Sequence, residues 1–254
     1  MIPDLKNKVI LITGSSTGIG AEAAKAFGAA GAKVAVHFNS SKAQADEVVA
    51  AIKALGSEVV AIAGDLSIAG VSEKVVNQCA EHFGRIDVLI NNAGSMIRRS
   101  PVADSDDALL DDLFHLNIRS VVAASRAAIS HMRKQGGGNI INTTSVAART
   151  GGGPSAVLYA STKGFVSTFT HGLAKEVVKD NIRVNAVAPG VILTPFHERY
   201  STQAQLDMLK ATIPMGRLAN ADECNGAYLY LASDALSGYV TGQVIEVNGG
   251  QLMP

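Results

Sequence analysis

Two apolar patterns alternate along this chain. Short runs rich in β-branched side chains occupy residues 9–13, 33–38, 58–63, 88–91, 139–144, 183–188 and 244–247. Runs this short and this continuously apolar predict buried parallel strands, because a strand covered on both faces has no polar face to show. Alanine-rich segments of helical period separate them, at residues 20–30, 42–55, 71–83, 108–134, 156–179 and 221–231. In the second of these, Ala43, Val48, Ala51, Ile52 and Leu55 make one apolar stripe, and Gly56 follows where a left-handed cap residue belongs. Strand and helix alternate through nearly the whole chain, which predicts an α/β fold: a doubly wound parallel sheet of about seven strands with helices on both faces. Residues 190–217 break the pattern. They hold Pro195 and Pro214 and only a short helical stretch near 203–210, so they read as an excursion over a site, a substrate lid.

Composition narrows this picture. The 254 residues are 47% hydrophobic, enough for a well-buried core, and no linker divides them, so residues 1–254 read as a single Rossmann-type domain. Lys plus Arg and Asp plus Glu both number 22, and a chain without net charge shows no footprint for nucleic acid or an anionic membrane. The N-terminal residues carry charges where a leader needs an apolar core, and no apolar run reaches about 18 residues, so a soluble cytoplasmic protein is expected. Cys79 and Cys224 lack CxxC spacing and read as free, structural thiols. The six histidines lack the spacing of metal ligands, and no metal is expected.

The chemistry is concentrated in two motifs. Gly14, Gly18 and Gly20, in Thr13-Gly14-Ser15-Ser16-Thr17-Gly18-Ile19-Gly20, fall between the first strand and the first helix. There a backbone turns tightly and lets a pyrophosphate approach a helix N-terminus, so a dinucleotide is expected against Ser16, Thr17, Gly18 and Ile19. Farther on, Tyr159 and Lys163 stand four residues apart on one helical face. A tyrosine with an ordinary pKa of about 10 is a poor base at neutral pH, and a neighbouring ammonium stabilises its phenolate, so the pair reads as a proton-transfer device.

With Asn91-Asn92-Ala93-Gly94 midway and Ser145 ahead of Tyr159, these motifs resemble the short-chain dehydrogenase/reductase family over essentially the whole chain. The resemblance implies an NAD(P)-dependent oxidoreductase that moves a hydride between the nicotinamide and a carbonyl or secondary alcohol. It implies a catalytic tetrad: Tyr159 as acid/base, Lys163 on Tyr159 and the nicotinamide ribose, Ser145 on the substrate oxygen, and Asn117 positioning a water that links Lys163 to solvent. It also implies that Asp65, beside Leu66, accepts from the adenine amino group, that Asn91, Ala93 and Gly94 form the turn that lines the adenine ribose and supports the central strand, and that Pro189, Gly190, Ile192 and Thr194 hold the carboxamide. Ser145 precedes Tyr159 by fourteen residues, one more than the family commonly has, and the extra residue falls in a glycine loop, Gly151-Gly152-Gly153-Pro154.

Cofactor choice rests on the end of the second strand, where NAD enzymes place a carboxylate on the ribose 2′-hydroxyl. Here His37, Phe38, Asn39, Ser40, Ser41 and Lys42 stand there, with no acid before Asp46. Hydroxyl and amide groups next to a helix N-terminus suit a 2′-phosphate, so NADP is favoured, with NAD the alternative. Two activities are consistent with the family pattern: 3-oxoacyl thioester reduction, and sugar-acid dehydrogenation through an arginine of Met96-Ile97-Arg98-Arg99. Enoyl thioester reductases space Tyr and Lys more widely. A non-catalytic nucleotide-binding regulator is the remaining alternative, one that usually lacks the tyrosine or lysine. The resemblance further implies a homotetramer formed through the helices at 108–134 and 156–179 and the last strand, with Ala160, Phe165, Val166 and Phe169 offering apolar surface.

Overall fold

The computed structural model describes residues 2–254. Each predicted strand is present: β1 Val9–Ile12, followed by α1 Gly18–Ala29, β2 Lys33–Phe38, α2 Lys42–Ala54, β3 Val59–Ala63, α3 Val71–Phe83 and β4 Val88–Asn91. The second half continues with α4 Asp107–Phe114, α5 Ser120–Gln135, β5 Gly138–Thr143, α6 Ala147–Thr150, α7 Val157–Val177 and β6 Ile182–Pro189. Then come β7 Ile192–Leu193, α8 Pro195–Tyr200, α9 Gln203–Ala211, β8 Ala219–Asn220, α10 Asn225–Ala232, α11 Asp234–Ser237 and β9 Val244–Val247. Among the described residues the main sheet has seven parallel strands in the order β3-β2-β1-β4-β5-β6-β9. The order reverses between β1 and β4, so their carboxyl ends diverge and open the crevice where this architecture binds ligands.

Strand alternation divides the core into two layers. Ile10 and Ile12 of β1 join Phe27, Ile52, Tyr228 and Leu231 on the face covered by α1, α2 and α10. Val9 and Leu11 join Val75, Cys79, Met132 and Leu173 on the face covered by α3, α5 and α7. Burying a side chain such as Phe27 or Ile52 contributes about 2 kcal/mol, which is why both faces of β1 are apolar. The edge strands depart from the buried reading: β3 buries only Ile62, and β9 is half-exposed along its length, because each has a neighbour on one side only. In α2 the buried stripe is Ala45, Val48 and Ile52, while Leu55 at the helix end is exposed. Ala160 and Val166 of α7 turn inward to the core, leaving Phe165 exposed and stacked on Phe169.

The helix predicted over 108–134 is not uniform. Residues His115–Arg119, between α4 and α5, form a π-helical turn centred on Asn117. An inserted turn of this kind re-aims one side chain without breaking the helix, and such turns gather at functional sites. The excursion after β6 is more ordered than its prolines suggest: β7 pairs with β8 in a small parallel ribbon, with α8 and α9 between them. Among the described residues, no helix is long and apolar enough to cross a membrane.

Candidate active site

A cavity of about 640 Å³ runs along the carboxyl ends of the strands, with the glycine-rich loop at its centre. Of the residues predicted for the site, Gly14, Ser16, Thr17, Gly18, Ile19, His37, Asn39, Ser40, Asp65, Leu66, Ala93 and Gly94 line it. So do Ser145, Tyr159, Lys163, Pro189, Gly190, Ile192 and Thr194. Gly20, Asn91 and Asn117 lie just behind the lining. Gly20 has a packing reason: a Cβ there would stand 2.5 Å from both Asn92 Nδ2 and the Gly14 carbonyl. Asn91 is buried in the sheet layer, where its amide donates to Asn142 Oδ1 and Ser125 Oγ. Its neighbour Asn92 reaches the loop instead, donating from Nδ2 to the carbonyls of Thr13 and Gly14.

At the loop, α1 starts without a side-chain cap, so its first N–H groups remain available to an anion. This cradle fits a dinucleotide diphosphate. His37 holds the loop in place: the Gly14 N–H donates to its Nδ1 (2.9 Å), and its Nε2–H donates to the Gly64 carbonyl (2.9 Å). Only the neutral ring protonated at Nε2 satisfies both bonds, and burial keeps His37 below the ordinary histidine value. The unfolded chain therefore takes up this proton first as pH falls, so native stability present above about 6.5 is lost below it. Cofactor affinity is expected to fall with it, since protonated Nδ1 cannot accept from Gly14. A titration of dinucleotide affinity from pH 7 to 5, repeated on His37→Gln, checks this; the variant is expected to lose the acid-side decline.

Asp65 is held below the usual carboxylate range by Ser67, whose hydroxyl (2.6 Å) and N–H (2.9 Å) both donate to it. Asn39 and Ser40 are exposed at the end of β2 and line the cavity. Lys42 is not among the lining residues; it pairs with Asp46 one turn along α2 (2.6 Å).

Tyr159 and Lys163 project from α7 into the floor of the cavity beside Ser145. Lys163 is buried, and its Nζ donates to the Thr143 carbonyl (2.8 Å) and stands 5.9 Å from the Tyr159 ring centroid. Burial pushes Tyr159 up to about 12, against a smaller lowering by the Ser145 hydroxyl, and pushes Lys163 down to about 8. Burial in the protein alone thus works against the acidification that the helical spacing favours. Both groups are desolvated, and Lys163 spends its contact on a carbonyl instead of the phenol. Asn117 is fully engaged: Nδ2 donates to the Ser95 carbonyl (2.8 Å) and Thr162 Oγ1 (3.1 Å), and Oδ1 accepts from the Ser95 N–H (2.9 Å). Gly94 lets Asn117 and Lys163 approach, because a Cβ there would meet Asn117 Oδ1 and Lys163 Nζ, each at 3.1 Å.

The excursion covers the other end. Phe196 of α8 packs on Tyr159, ring centroids 5.5 Å apart, and His197, Met208, Leu209 and Thr212 complete the wall. The Tyr200 hydroxyl bonds Ser95 Oγ (2.7 Å), tying the excursion to the residue that clamps Asn117. These aromatic and aliphatic residues carry no periodic signal in the sequence. Only the break in pattern over residues 190–217, with Pro195 and Pro214, pointed to this segment.

The family whose model matches residues 14–251 is described as enoyl-(acyl carrier protein) reductase. The 3-oxoacyl-[acyl-carrier-protein] reductase of a Synechocystis species is 37% identical over 253 residues, 98% of each chain. The NADH-dependent reductase A1-R′, solved in complex with NAD, superposes with a TM-score of 0.89 at 37% identity over the whole of both chains. A short-chain dehydrogenase from Burkholderia cenocepacia in complex with NADP gives 0.90 at 31% identity, covering 98% of this chain and 99% of that one. With strand order, glycine loop and the Tyr159–Lys163 face already in place, the chain belongs to the short-chain dehydrogenase/reductase family of NAD(P)-dependent oxidoreductases.

Proposed function

We propose that this protein reduces a ketone or aldehyde to the alcohol, with Tyr159 as proton donor. The observation that carries the reading is the meeting, in one cavity, of an uncapped helix N-terminus with Tyr159 and the buried Lys163. The bound nicotinamide supplies the hydride. Residues of the chain do the rest: the glycine loop and α1 receive the diphosphate, Ser145 orients the carbonyl oxygen, and Tyr159 gives it a proton. Burial pushes the Tyr159 phenol up, which suits it to hold a proton and give it to the carbonyl oxygen. Lys163 would hold the nicotinamide ribose, and Asn117 fixes the loop of Ser95 through its main chain. Oxidation of NADPH and NADH with a 3-oxoacyl thioester, keto-sugar acids and activated ketones tests the reading; tight cofactor binding without turnover would favour a nucleotide-binding regulator. The four-residue Tyr–Lys spacing supports carbonyl over enoyl chemistry.

NADP is the favoured cofactor, because no acid stands at the end of β2 and Asn39, Ser40 and Ser41 surround the start of α2. Lys42 adds little, being paired with Asp46. Asn39→Asp places a carboxylate there and is expected to shift the NADPH-to-NADH ratio of kcat/KM about 100-fold toward NADH, read by steady-state kinetics. Residues 190–217 act as the substrate lid. Exposed Leu110, Phe114, Val157 and Phe165 on α4 and α7 support a homotetramer, and the neutral net charge is consistent with a cytoplasmic enzyme.

A further inference from the structure

The two adjacent arginines after β4 have different fates. Arg98 is exposed and paired with Asp106 (2.6 Å). Arg99 turns inward, is half-buried, and lines the cavity at the end where Phe196 and His197 close over Tyr159. Its acceptors are all uncharged: Nε donates to the Tyr200 carbonyl, Nη1 to the Pro154 carbonyl (2.8 Å), and Nη2 to Ser201 Oγ (3.4 Å). A guanidinium carries five N–H donors, so about two remain. No described acid pairs with it. Asp65 is the one acidic side chain among the described lining residues, and it follows β3, on the opposite side of β1 from β4, which leads to Arg99.

Arg99 is half-buried against the cavity with no acid beside it, so a ligand carboxylate there would gain a charge-assisted partner. We propose that the carbonyl substrate is an oxo acid and that Arg99 receives its carboxylate, with His197 lining the same end of the cavity. This rests on the reductase reading and names its substrate class. One uncompensated charge and two remaining N–H groups match one planar carboxylate. The carboxylate itself does not react. Hydride goes to the carbonyl carbon, the proton of Tyr159 goes to the oxygen, and oxo acid plus NAD(P)H plus a proton gives hydroxy acid plus NAD(P)⁺.

The experiment compares pyruvate, acetoacetate and 4-oxopentanoate with their methyl esters, in wild type, Arg99→Gln and Arg99→Lys. For the best-fitting chain length, wild type is expected to favour the acid about 100-fold in kcat/KM, Arg99→Gln to reduce that ratio to about one, and Arg99→Lys to keep about tenfold. A wild-type ratio near one for all three overturns the proposal. So does a loss in Arg99→Gln that falls equally on acid and ester, which would leave Arg99 a strut between the lid and the Pro154 loop. Calorimetry of acetoacetate on protein loaded with oxidised cofactor reads the same contact without turnover, and Arg99→Gln is expected to weaken it at least tenfold. If wild type reduces no carbonyl compound at all, the reductase reading falls, and this binding measurement decides the role of Arg99 separately. Competition by inorganic phosphate but not by acetate would overturn the oxo acid in favour of a phosphoester.

Discussion

Tyr159→Phe is expected to lower turnover about a thousandfold while dinucleotide affinity stays within a few-fold of wild type. The ring stays, so packing against Phe196 at 5.5 Å is kept and only the hydroxyl is lost. Few groups could replace it. Ser145 lies beside it but is a weaker acid, and Lys163 is turned toward the Thr143 carbonyl at 2.8 Å. His197 is the other titratable ring at this end, and burial together with the Arg99 charge pushes it down to about 4, so at neutral pH it has no extra proton to give. The chain contains no tryptophan, which leaves NADPH fluorescence clear for the affinity measurement. Unchanged turnover would remove Tyr159 from the reaction; lost affinity would mean that its hydroxyl serves the cofactor.

The sheet and the cofactor loop were legible because their signals are local. Continuous apolarity marks a strand covered twice, and glycines between such a strand and an alanine-rich helix mark the phosphate turn. Tyr159 and Lys163 were legible because helical spacing alone puts them on one face. What the residues left open depended on the third dimension. Asn91 and Asn92 are equivalent as sequence, yet strand alternation sends the first into the sheet layer and lets the second brace the loop. Arg98 and Arg99 are equally basic, and only the path of the loop turns one to solvent and the other to the cavity.

Lys163→Met is expected to abolish turnover and at the same time to stabilise the fold at pH 7 by roughly 1–2 kcal/mol. The buried ammonium has one acceptor among the described residues, the Thr143 carbonyl, for three N–H groups. Burial alone pushes it down to about 8, so at pH 7 the native state holds a charge it would shed. Methionine fills a similar volume without that charge, and the opposing cost is one carbonyl left without its donor, about 1 kcal/mol or more. The sign can be followed with pH. Below about 8 folded and unfolded chains both keep the proton, and wild type bears the full cost. Between about 8 and the ordinary 10.5 the unfolded chain holds more protons, so wild-type stability rises. Urea titrations of the two proteins should therefore differ most at pH 7 and converge toward pH 10. A variant less stable than wild type at pH 7 would show that the Thr143 bond outweighs the buried charge. Saturating cofactor should narrow the gap from the other side if its ribose supplies acceptors for the Lys163 N–H groups that the protein leaves free.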